Sequence, residues 1–225
     1  MRSARFWIIA TLCASTLPAV VAAMPTLASP AERVAVDETV VVYAANGMQT
    51  NIGAGVIVGR RDGALVIATA AHVIAAANVI ANGAVRVRLD SGEQLNVAEI
   101  DRIGGFDLAL LKTASYDGWI SSAALGQPSA GEDVYIWGHR LAQSYVESQA
   151  SITDVDPILP EGPADGRFAI ECPTCGHGDS GAGVFDSRGR LLGILEGARR
   201  DQNGNIVYVE CEPVAPIATL LASGA

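Results

Sequence analysis

Basic residues are scarce in this 225-residue chain: 15 Lys and Arg stand against 24 Asp and Glu, a formal charge of −9 at pH 7. No run of Lys or Arg offsets that sign anywhere. A nucleic-acid binder needs a basic face to neutralise phosphates, so that class is excluded. Charge of either sign is thin at 17%, while 50% of residues are apolar, which excludes a disordered chain. Helical periodicity is almost missing too, and with 24 glycines the chain leans to an all-β protein. The length suits one ordinary domain or two small barrels packed as a unit, and needs neither metal nor disulfide staples to bury a core.

The first thirty residues read as an export signal. Arg2 and Arg5 open it, and no charge follows from Phe6 to Ala31. The densest apolar run is Phe6–Ala14, followed by Pro18 and the small-residue stretch Val21-Ala22-Ala23. This layout predicts a signal peptide over residues 1–23, with Ala28 as a later cleavage point. A retained membrane anchor is the alternative, but Pro18, Pro25 and Pro30 break the run and its strongly apolar part is short. Leu12 before Cys13 argues against lipidation. Cleavage leaves 13 basic and 24 acidic residues, a net −11. The expected location is periplasmic or secreted, with no membrane contact once the leader is gone. Export also makes disulfides permissible.

Beyond the leader, short β-branched or alternating runs are separated by turn signals. Thr39–Ala45, Gly53–Gly59, Ala64–Thr69, Ala84–Leu89, Gln94–Ile100 and Phe106–Leu111 precede a linker rich in Ser, Gly and Ala, roughly Thr113–Ala130. Glu132–Gly138, Glu147–Thr153, Arg167–Glu171, Ala182–Asp186, Arg190–Glu196 and Asn205–Glu210 follow it. Pro213–Ala222 alone reads as a helix. Six candidate strands on each side of the linker suggest two small antiparallel barrels, over residues 32–118 and 119–225.

Three motifs carry chemistry. Thr69-Ala70-Ala71-His72 puts a histidine at a strand end. Phe106-Asp107-Leu108-Ala109-Leu110-Leu111 opens an apolar strand with an acid, and a buried carboxylate needs a partner. Gly176-His177-Gly178-Asp179-Ser180-Gly181 is a tight turn whose backbone N–H groups can point inward. In this order, these motifs resemble the trypsin-like serine peptidases of the chymotrypsin fold. Gly53-x-Gly55-Val56-Ile57-Val58, Asp107–Lys112 and Phe185-Asp186…Leu191-Leu192-Gly193-Ile194 are similar to the bacterial Deg-type (HtrA-like) branch. The likeness runs from about Thr39 to Leu221.

The resemblance implies two six-stranded antiparallel β-barrels with the site in the cleft between them, and a short C-terminal helix. It implies a serine endopeptidase acting on polypeptides without a cofactor or metal. Ser180 matches the nucleophile, His72 its base and Asp107 the carboxylate that orients the imidazole. The backbone N–H groups of Gly178 and Ser180 match the oxyanion hole. Ala182 stands where the family usually has a second glycine. Thr174, six residues before Ser180, stands where the trypsin subgroup has an acid, so a preference for Lys or Arg is unsupported. Thr174, His177 and Glu196-Gly197-Ala198 are the expected pocket walls, with room for an apolar side chain. Glu196 stands where relatives often place a small polar residue near the triad acid; two carboxylates there would raise one pKa, and an alignment shifted by one residue would part them. Asp179 matches the acid that pairs with a freed N-terminus in relatives matured by cleavage. The Deg-like opening instead suggests a site that forms without that step, in a bare catalytic domain.

Two rival readings stay open. One is a scaffold that keeps these residues but only binds. The other uses Cys172-Pro173-Thr174-Cys175 for redox chemistry, or for zinc with Cys211 or His139. Outside the leader there are three cysteines, Cys172, Cys175 and Cys211, so at least one stays out of any intrachain pair. The favoured use is a small structural disulfide, either Cys172–Cys175 or one of them with Cys211. His139 reads as a loop residue.

Overall fold

The strand Ala64–Ala70 (β3) is buried along its whole length, although a sheet with one wet face should alternate. Its two faces serve two cores: Leu65 and Ile67 point into the barrel, while Val66 and Ala68 pack into a separate apolar cluster outside it. The continuous apolar run ALVIATA is what such a doubly covered strand requires. Val85–Arg88 (β4) faces solvent on one side, and its Val residues are buried while Arg86 is exposed.

The computed structural model describes residues 37–46, 49–75, 84–139, 145–155 and 166–223. The expected leader and its cleavage points lie outside these residues, as does most of the Ala-rich stretch after Ile74. The first barrel also contains Thr39–Asn46 (β1), Gln49–Arg61 (β2), Gln94–Ile103 (β5) and Leu108–Ser115 (β6). It closes in the order β1-β2-β3-β6-β5-β4. The second contains Asp133–His139 (β7), Tyr145–Val155 (β8), Phe168–Glu171 (β9), Gly183–Phe185 (β10), Leu191–Arg200 (β11) and Ile206–Pro213 (β12), closed as β10-β11-β12-β9-β8-β7. Every pairing between these barrel strands is antiparallel, and each barrel has its own apolar interior. A third cluster lies between the barrels, where Val56, Leu108, Trp137 and Phe185 meet Ile217 of the C-terminal helix Ala215–Ser223 (α1). Among the described residues no helix is long and apolar enough to cross a membrane.

Turn chemistry accounts for the tight connections. Asp62 (φ 51°) and Gly63 (φ 77°) form a two-residue loop between β2 and β3, the conformation a right-twisted hairpin favours. The Asp186 carboxylate accepts the N–H groups of Arg188 and Arg190 at 2.9 and 2.8 Å, which closes the β10–β11 turn.

The structure corrects three local expectations. Asp107 does not open a strand: β6 starts at Leu108, and Phe106–Asp107 belong to the turn after β5. The reason is local, since Gly105 adopts φ 83° and the Asp107 N–H bonds outside the ladder. The strand that was to end at Glu196 runs on to Arg200, because β12 continues to pair with it past a bulge at Leu195/Gly197. His139 is not in a loop: it is the last residue of β7, 2% exposed. Burial and the nearby Arg88 hold its pKa down at about 4.

Candidate active site

β3 delivers His72. The strand ends at Ala70, and a single 3-10 turn, Ala71–Ile74, follows it. Val73 and Ile74 bury into the first barrel and anchor the turn, leaving the His72 side chain 48% exposed. The Ala71 N–H donates to the Asp107 carbonyl at 3.0 Å. The Asp107 carboxylate then holds His72 twice: Oδ1 accepts the His72 backbone N–H at 2.8 Å, and Oδ2 lies 2.5 Å from Nδ1. An acceptor this close requires the proton on Nδ1, which leaves the lone pair on Nε2. The hydrogen bond from Asp107 is the main reason the His72 pKa is raised. Desolvation opposes it, and the charges of Asp107 and Glu196 add to it.

The second barrel delivers Ser180 on the turn before β10. Asp179 Oδ2 accepts the Gly176 N–H at 2.7 Å, and the Asp179 N–H returns to the Gly176 carbonyl at 3.1 Å. Gly178 (φ 97°) and Gly181 (φ 86°) occupy the left-handed region, which any side chain would strain. Backbone acceptors among the described residues take neither the Gly178 nor the Ser180 N–H. A Cβ on Gly181 would run into the Ala54 carbonyl and the Thr69 hydroxyl of the first barrel. Across the same seam the Ala54 N–H donates to the Ser180 carbonyl at 2.8 Å. The Ala182 methyl is fully buried, and Gly138 makes room for it: a Cβ there would sit 3.2 Å from Ala182 Cβ.

His72 and Ser180 line one cleft of about 680 Å³. Gly178, His177, Glu196, Gly197 and Ala198 line it as well. Thr174 does not: its hydroxyl turns to Ser148 Oγ on β8 at 3.1 Å, away from the cleft lining. The Ser180 hydroxyl donates to the Glu196 carbonyl at 3.2 Å. Proton transfer to His72 requires that O–H to leave the carbonyl and turn to Nε2. Hydrogen bonds in a ligand-free cleft often form or tighten only when a ligand is bound. The Glu196 side chain carries the expected carboxylate crowding. Burial first, then Glu212, Glu210 and Asp107, push its pKa up to about 7, against the pull of Arg167.

Cys172 and Cys175 face each other just before this turn, with Cα atoms 5.5 Å apart and their sulfurs paired. Cys211 is buried inside the second barrel as a free thiol. Two residues on either side of Cys211 were overlooked in the sequence. Val209 and Cys211 point inward, so Glu210 and Glu212 share the outer face of β12. Both are buried, and each has a cation: Arg199 lies 2.6 Å from Glu210, and Arg167 lies 3.1 Å from Glu212. The available signal was the pair of acids at a spacing of two within a strand, in a chain poor in cations.

Residues 53–194 match the family described as the trypsin-like peptidase domain. The chain belongs to that family. It is therefore a trypsin-like serine peptidase in class, carried on the chymotrypsin-like pair of barrels described above. No curated protein matches it. Among solved structures it is similar to the active form of the Rv3671c protease from M. tuberculosis, with 20% identity and a TM-score of 0.69, over 86% of this chain and 83% of that one. It is similar to a serine endoprotease from Yersinia pestis, with 21% identity and a TM-score of 0.68, over 86% of this chain and 64% of that one. An HtrA-type protease, AlgW, solved with a tripeptide, has 19% identity and a TM-score of 0.70, over 86% of this chain and 62% of that one. At such identities the likeness establishes the shared fold.

Proposed function

We propose that His72, Asp107 and Ser180 are the catalytic triad of a serine endopeptidase that cuts polypeptides through an acyl-enzyme. The observation that carries the reading is the double hold of Asp107 on His72, with Ser180 facing the same cleft. Ser180 Oγ attacks the scissile carbonyl carbon while its proton moves to His72 Nε2. The carbonyl oxygen becomes an oxyanion, and the N–H groups of Gly178 and Ser180 receive it. His72 then gives the proton to the leaving amine as the C–N bond breaks. Water repeats the sequence: it loses a proton to His72, attacks the acyl carbon, and Ser180 leaves with the proton returned. Asp107 keeps its charge throughout and stabilises the imidazolium.

Gly197 and Ala198 are small lining residues of the cleft that His177 and Glu196 also line, and their size leaves room for an apolar substrate side chain. The Cys172–Cys175 disulfide stiffens the segment that enters the nucleophile turn. Arg2 and Arg5, with the uncharged run after them, support export to the periplasm or beyond. The catalytic unit divides near residues 118 and 119, one barrel on each side.

A serine-directed fluorophosphonate tests the reading. The purified wild type is expected to take the label and to hydrolyse a peptide library. Ser180→Ala should lose the label entirely and lower kcat by on the order of 10⁴- to 10⁶-fold. A wild type that takes no label at neutral pH, or an S180A variant that still cleaves at the wild-type rate, would overturn it.

A further inference from the structure

We propose that Glu212, clamped by Arg167, is a positioning residue of the active site: from the second barrel it fixes the turn of the first barrel that carries Asp107, and so sets where Asp107 holds His72. The inference rests on the triad reading above and extends it to two residues outside the triad.

The contacts form one continuous chain. Glu212 is fully buried on β12. Its Oε1 accepts the backbone N–H of Asp107 at 2.8 Å, a contact between residues 105 positions apart. Arg167 Nε donates to both carboxylate oxygens of Glu212 at 3.1 Å. Arg167 Nη2 donates to the Gly105 carbonyl at 2.9 Å, and the guanidinium lies 5.6 Å from the Phe106 ring centroid. Gly105, Phe106 and Asp107 are thus each held by this one ion pair.

Asp107 has little freedom left. Its two carboxylate oxygens are committed to His72, one to the backbone and one to the ring. Its carbonyl accepts the Ala71 N–H, at the root of the turn that bears His72. Its N–H is the remaining backbone group, and Glu212 takes it. Displacing that N–H moves the carboxylate and, through it, the imidazole.

The pairing of Glu212 with Arg167 is needed for this hold. A fully buried carboxylate without a cation takes up a proton or draws in water, and either weakens it as an acceptor. Glu196 is an acidic neighbour of Glu212 and makes the cation more necessary still.

The arrangement is reciprocal. The first barrel grips the serine-bearing turn through Ala54, and the second grips the acid-bearing turn through Glu212. The alignment of the two halves of the chemistry is therefore built from contacts across the seam, not within either barrel.

The test uses the full chain with Arg167→Met, which keeps apolar bulk and removes the cation. Thermal melting establishes that the variant folds. With a peptide substrate, kcat is expected to fall about 10- to 100-fold while KM stays within about twofold, because alignment and not binding is lost. In an NMR titration assigned with a His72→Ala control, the His72 pKa is expected to drop towards that of a free imidazole, because Asp107 no longer holds the ring. A general loss of stability would not single out His72 in this way. A folded R167M variant with wild-type kcat and an unshifted His72 titration overturns the proposal. If R167M does not fold, Glu212→Met, which removes the acceptor of the Asp107 N–H, takes its place with the same two readouts and the same decision. If the wild type itself neither labels nor cleaves, the triad reading fails separately. The His72 titration in wild type and variant then decides the positioning role alone: a drop supports it and no change overturns it.

Discussion

Glu196 is the residue at which burial, charge and chemistry meet. Its carbonyl holds the Ser180 hydroxyl, and its half-buried carboxyl faces Asp107, Glu210 and Glu212. With a pKa of about 7 against an ordinary 4.5, it carries a proton in mildly acidic solution and loses it as the pH passes neutrality. Its negative charge is one of the causes that raise the His72 pKa. Glu196→Gln removes that charge without removing the carbonyl. The acid limb of the kcat/KM profile should therefore move to lower pH, as a pH–rate series would show. The same variant makes a second expectation with the sign worked out. In the folded state Glu196 binds its proton more tightly than in the unfolded chain, so its contribution to stability is lost as pH rises through about 7. Melting temperatures of E196Q and wild type should agree below pH about 4.5, diverge between pH about 4.5 and 7, and stay apart above it, with the variant higher.

At the scale of elements, the serine-bearing turn is shaped by what it docks on. Gly181 sits against Ala54, and the Thr69 hydroxyl of β3 donates to the Ala54 carbonyl at 2.7 Å in a fully buried position. That bond keeps the β2 segment in place while Ala54 itself donates to Ser180. Thr69→Val keeps the shape and removes the donor. Leaving a buried carbonyl unsatisfied costs about 1–3 kcal/mol. Urea denaturation should show a loss of that size, and fluorophosphonate labelling should slow as the turn loses its support. Unchanged stability and labelling in T69V would mean that the docking of the turn does not depend on this bond.

Across the whole molecule, stability against pH follows from groups whose proton affinity the fold shifts. Glu38 is pushed up to about 7 mainly by burial, as Glu196 is, and His72 is raised by Asp107. All three bind protons more tightly in the folded protein, so each makes stability fall as pH rises. His139 acts in the opposite sense, because burial lowers its pKa from 6.5 to about 4, but its effect is complete once the unfolded histidine has also lost its proton. Above pH about 6.5 only the falling contributions remain. Denaturant midpoints should therefore decline from pH about 6.5 to 8, and a flat or rising series would contradict this account. The disulfide of the Cys172–Cys175 segment adds little to that balance, since so short a loop restrains the unfolded chain weakly.

The division between what was readable in the chain and what was not follows sequence separation. Period-two apolar runs, glycine turns and the three short motifs are local, and local patterns dictate strands, hairpins and the candidate residues themselves. They suggested two six-stranded units and singled out His72, Asp107 and Ser180 as candidates, while two barrels around one cleft were what the family resemblance implied. Element ends were less legible, because pairing continues wherever a partner strand continues, as β11 does along β12 past Glu196. His139 and Thr174 were misplaced for the same reason: a loop signal around Gly138 says nothing of what will cover the residue beside it, and a position six before a serine says nothing of where its side chain turns. Glu212 shows the limit most clearly. Its partners stand 45 and 105 residues away, and no short pattern contains them. A buried charge is tolerable only when the folded chain brings it a counter-charge, so which acid meets which cation was settled by closing the two barrels against each other.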